Sequence, residues 1–68
     1  MTIHVQLNGK EREVPAGLSV QGLLESLGLE PRLVVVERNR EIVARASYGE
    51  VRVSEGDRLE LVHFVGGG

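Results

Sequence analysis

A single segment of this chain repeats its apolar residues with the period of a helix. Val20, Leu23, Leu24 and Leu27 stand at i, i+3, i+4 and i+7, which gathers them into one stripe. The other apolar residues alternate, or run in short blocks, as strands do. One helical stripe covers one face of one sheet. The chain is therefore read as an α+β domain: a four- to five-stranded mixed sheet with one helix packed across one face. Its 68 residues include no cysteine, so stability has to come from one small core without a disulfide.

The local signals fit that plan. Ile3, Val5 and Leu7 alternate with Thr2, His4 and Gln6, the pattern of a half-buried strand. Asn8-Gly9 predicts a type I′ hairpin turn, and Lys10 to Val14 returns as a polar edge strand. Ser19 is placed to cap the helix, with Leu18 and Leu23 at the spacing of a hydrophobic staple. Gly28 closes it and Pro31 prevents its resumption. Leu33 to Val36 reads as a strand buried on both faces or covered by a partner on one. Asn39-Arg40 turns the chain into a short return over Glu41–Val43. Tyr48 anchors the irregular stretch after it, and Val51 and Val53 form a further short strand. Glu55-Gly56-Asp57 is a turn, and Arg58 to Val65 the last strand, with the first and last strands together at the centre. The expected core is Ile3, Val5, Val14, Val20, Leu23, Leu24, Leu27, Val34, Val36, Ile42, Leu59 and Leu61.

Composition narrows the function. A net charge of −2 argues against a nucleic-acid binder. No apolar run approaches the ~18 residues of a membrane span. The first residues lack the basic and apolar regions of a signal peptide, so the expected location is the cytoplasm. Two histidines without cysteine make a zinc site improbable, and His4 and His63 have opposite strand parity. Ser19 and His63 are better read as a helix cap and a strand end than as a nucleophile and a base. The chain is expected to be no enzyme.

Glycine is over-represented, at 9 residues, and three of these, Gly66, Gly67 and Gly68, close the sequence. They divide the chain into a domain over 1–65 and a flexible tail over 66–68. A glycine tail is slim enough to thread a carboxylate into a narrow pocket of another protein. The tail is either an inert flexible end or an arm whose carboxylate is the reactive group, able to attack a nucleotide phosphate and form an acyl adenylate.

At this point the sequence resembles the ubiquitin-like β-grasp superfamily, and within it the ThiS-type sulfur carriers of thiamine biosynthesis. The resemblance is carried by Ala16-Gly17-Leu18-Ser19-Val20 with Leu23-Leu24, by Val36 to Val43, by Glu55-Gly56-Asp57 and by Glu60 to Gly68. It spans essentially the whole chain, and the final stretch is its most specific part. Two positions depart from the family pattern. Ala44 stands where Pro is frequent, and Gly22 where Glu is frequent in the helix.

The resemblance implies a carrier whose Gly68 carboxylate is adenylated by a partner resembling the ubiquitin-activating enzyme. That partner consumes ATP; the carrier binds no cofactor. Sulfur from a persulfide donor then leaves a thiocarboxylate, which thiazole synthase uses to build the thiazole ring. Gly67 and Gly66 thread the tail. The docking surface is expected on the sheet face away from the helix, at Val35, Val62 and Phe64, with His4 and Glu60 around them. Molybdopterin synthesis, tRNA thiolation and conjugation to proteins are the alternative destinations of the same tail chemistry.

Overall fold

The computed structural model describes residues 1–64. Five strands form one mixed sheet: β1 (Thr2–Leu7), β2 (Lys10–Pro15), β3 (Val34–Arg38), β4 (Glu41–Ile42) and β5 (Arg58–His63). Their order is β2-β1-β5-β3-β4, so the last strand takes the central place. It pairs parallel with β1 and antiparallel with β3. One helix, α1 (Val20–Ser26), packs on one face. This is the expected architecture, with five strands.

The helix ends show why it stops where it does. Ser19 is extended, and its Oγ accepts the Gly22 N–H at 3.0 Å. A Cβ on Gly22 would stand 3.3 Å from Leu18 Cδ2, so glycine leaves room for the staple leucine. At the other end, Gly28 takes φ +76° and donates to the Glu25 carbonyl, while Leu29 donates to Leu24. Those two bonds complete a Schellman motif.

The helix buries Val20, Leu23 and Leu24 against Val5, Leu7, Val14, Val34, Val36 and Leu59 of the sheet. Tyr48 is buried as expected, and its hydroxyl donates to the Val34 carbonyl at 2.7 Å. Leu7 and Val53 also belong to the core, beyond the residues expected there. Ile3, Leu27 and Leu61 are only half-buried at its margin.

Two expectations are corrected. Ile42 is 67% exposed and lies outside the core. It pairs with Glu37, which faces Glu60 across β5, and that register turns Ile42 to the face without the helix. Val51 and Val53 do not form a strand of their own. Arg52 between them makes one isolated bridge to Ser19, because this segment meets the start of the helix instead of a sheet edge.

Candidate docking face

Strand register sorts the sheet into two faces. Val34, Val36, Leu59 and Leu61 look toward the helix. Val35, Glu37, Glu60 and Val62 alternate to the other side, where Val35 stands opposite Val62 and Glu37 opposite Glu60. Phe64 continues the parity of Val62, and its N–H donates to the Leu33 carbonyl at 2.7 Å. Val62 and Phe64 are 53% and 54% exposed, with Val35 half-buried beside them. The structure thus places Val35, Val62, Phe64 and Glu60 on one face of the sheet. Ile42 joins the same face through its pairing with Glu37. Val62, Phe64, Ile42 and Met1 are the large apolar side chains most exposed among the described residues.

His4 does not join them. It lies on the same face but beside Glu13 and Glu55, at 3.5 and 3.8 Å. Gly56 N–H donates to the His4 carbonyl, so His4 lies level with the turn before β5, whereas Val62 stands near that strand's other end. His63 points to the helix face, opposite in parity to His4. Ser19 starts the helix, whereas His63 lies near Leu27 and Leu29 past its other end, so they form no catalytic pair. Among the described residues, no group of three or more His, Asp and Glu could hold a metal. Gly66, Gly67 and Gly68, and the domain boundary expected before them, lie outside the described residues.

Two asparagines and one aspartate hold β5, the strand that leads to the glycines. The β1–β5 ladder runs only through Gln6↔Arg58 and Leu7↔Leu59, because the chain turns at Asn8. The Asn8 side chain then takes the place of a peptide. Its Oδ1 accepts from Leu61 N–H at 2.7 Å and its Nδ2 donates to the Leu61 carbonyl at 3.2 Å. At the start of β5, Asp57 is buried and accepts three bonds: from Ser54 N–H at 2.7 Å, Arg38 Nε at 2.9 Å and Asn39 Nδ2 at 3.1 Å. Burial alone would raise its pKa. The bonds from Ser54, Arg38 and Asn39, with the charge of Arg38, outweigh burial and hold it below the ordinary 3.8. Asn39 and Arg40 sit at φ +50° and +72°, a tight turn clamped to β5 by the Asn39 amide. The sequence reading treated Asn8, Asn39 and Asp57 only as turn residues. The signal available was the asparagine at the first turn position of both hairpins, where a side-chain amide can reach a third strand.

The comparisons with known proteins agree with this architecture. The crystal structure of the thiamine biosynthesis protein ThiS from Geobacter metallireducens superposes with a TM-score of 0.81 at 33% identity. The match covers 97% of this chain and 100% of that one. The sulfur carrier protein ThiS of Bacillus subtilis is 46% identical over 94% of this chain and 98% of its own length. A thiazole synthase of Paramagnetospirillum magneticum is 52% identical over 91% of this chain, which spans only 19% of that protein. The ThiS family model matches residues 5–68, past the end of β5 and through the glycines. With nearly its whole length matched, the chain belongs to the ThiS family.

Proposed function

We propose that this protein is a sulfur carrier for the thiazole ring of thiamine, acting through the carboxylate of Gly68. The observation that carries the reading is its similarity to the B. subtilis carrier over nearly the full length of both chains. The proposed cycle starts with a partner resembling the ubiquitin-activating enzyme. A Gly68 carboxylate oxygen attacks the α-phosphorus of ATP, pyrophosphate leaves, and the acyl adenylate forms. The terminal sulfur of a persulfide donor attacks the acyl carbon, AMP leaves and an acyl disulfide forms. A thiol then attacks the donor-side sulfur, making a disulfide and releasing the Gly68 thiocarboxylate. Thiazole synthase then takes that sulfur, a partnership supported by the carrier-like segment within a thiazole synthase. In this scheme the chain is cargo and handle rather than an enzyme, and ATP is the partner's substrate. The scheme operates in the cytoplasm; among the described residues no helix is long and apolar enough to cross a membrane.

The test is an intact-mass measurement after incubation with ATP, the activating enzyme and a persulfide source. Loading replaces one oxygen by sulfur. Adducts to other proteins would indicate a modifier instead, and an unchanged mass with active enzyme would remove the carrier reading.

The docking face supplies a second test. Phe64→Asp places a charge on the same face as Val62 and Val35, at the end of β5. Binding to the activating enzyme is expected to weaken at least about tenfold, because buried apolar anchors dominate such interfaces. The thermal midpoint should stay within a few degrees of wild type, since Phe64 is already half exposed. A large drop in the midpoint with binding intact would assign Phe64 to the core instead.

A further inference from the structure

We propose that the helix side of the sheet carries a second binding groove, built for an acidic polypeptide segment with apolar anchors. Its origin is a mismatch of lengths. The seven residues of α1 span about 10 Å, whereas the six of β1 or β5 span about 20 Å. The helix cannot cover the whole face. Past its C-terminal end lies an open groove of about 520 Å³. Leu7 and Leu61 form its floor and Leu27 and Leu29 its wall. The three leucines other than Leu7 are only half-buried.

The groove's rim has one sign of charge. Lys10 and Arg12 share the parity of buried Val14, so they stand on the helix side of β2, and His63 closes the groove from β5. Glu11 and Glu13 of the same strand alternate to the opposite face. Among the described residues, no carboxylate lines the groove. Among the described residues, Lys10 and Arg12 form no salt bridge. Lys10 is the only lysine in a chain of net charge −2, which makes this a local basic site on an acidic protein. An occupant that satisfies both floor and rim presents leucine-like side chains next to carboxylates. The groove shares the end of β5 with Val62 and Phe64 but faces the other way. The proposal therefore stands apart from the carrier reading and from the outer docking face.

The test is a titration of the isotope-labelled whole protein by NMR, with no activating enzyme present. Three short peptides serve as probes: leucine with glutamate, leucine with lysine, and serine with glutamate. Inorganic phosphate is the fourth. The leucine–glutamate peptide is expected to shift the Leu27, Leu29, Leu61 and His63 amides saturably, and added salt should weaken it. Lys10→Glu with Arg12→Glu should lower its affinity at least about tenfold. Both positions are exposed on an edge strand, so the fold is expected to tolerate them. The proposal fails if the leucine–glutamate peptide leaves those amides unmoved or shifts only Val62 and Phe64. It fails equally if leucine–lysine binds as well, which would make the groove merely apolar. Equal binding by serine–glutamate or phosphate would reduce it to a general anion site and overturn the two-part recognition.

Discussion

Deleting Gly68 is expected to abolish sulfur loading while leaving the fold untouched. The deletion moves the carboxylate back by one residue, about 3.5 Å in an extended chain. Acyl transfer needs its reacting atoms roughly 3–3.5 Å apart, and a misplacement of about 1 Å costs on the order of a hundredfold. A retraction larger than that should leave no thiocarboxylate by intact mass when the wild-type chain is fully loaded. Gly68 lies beyond β5 and outside the core of Val5, Leu23, Leu24, Val36 and Leu59, so the thermal midpoint should not change. The truncated chain should still bind the activating enzyme through Val62 and Phe64, and so should inhibit loading of the intact chain. Loading at the wild-type rate would place the reactive group elsewhere.

The largest expected effect on stability comes from Asp57→Ala. This residue is 5% exposed, and its side chain accepts from Ser54, Arg38 and Asn39. Its removal leaves the Arg38 guanidinium, itself mostly buried, without its carboxylate. Breaking a buried pair costs about 3–5 kcal/mol, and the partial exposure of Arg38 brings this nearer ~2–4 kcal/mol. A domain of this size has only ~3–5 kcal/mol to lose. The midpoint should fall by about 10–25 °C. Asp57→Asn tests the charge separately. The folded pKa lies below the unfolded 3.8, so folding favours the ionised form. The contribution is full well above pH ~4 and disappears as pH falls through the folded value. The stability gap between wild type and Asp57→Asn, read from urea midpoints, should therefore be wide near pH ~7 and narrow near pH ~2–3. An equal gap at both pH values would show that Asp57 acts by shape, not charge.

Most of the fold was legible because its signals are local. The Val20–Leu27 stripe, the Ser19 cap, Gly28 and Asn8-Gly9 each declare themselves within a few residues, and all take the predicted roles. Ile42 was misassigned because it lies in a two-residue strand, too short for alternation to be read. Its face depends on the Glu37–Glu60 register, a pairing of distant residues. Leu7 and Asn8 illustrate the same limit. Their burial and bonding depend on β5, more than 50 residues away in sequence. Val35, Val62 and Phe64 share the face expected of them because parity within each strand carries directly onto a face. His4 was placed with them by parity alone, and parity carries no information about position along the strand. Asp57 was missed as a hub because its three donors come from a neighbouring turn and from the β3 end.

The central place of β5 bears on how the protein is made. β1 and β3 both bond to a strand that the ribosome delivers after all the others. Until Arg58–His63 has emerged, the β1–β2 and β3–β4 hairpins have no common strand to join them. Hairpins of that size are marginal alone. A nascent chain stopped before β5 is thus expected to stay unfolded and open to proteases, while one translated through it closes around its own newest segment. Closure of the sheet thus waits on Arg58–His63, the strand on which both hairpins depend.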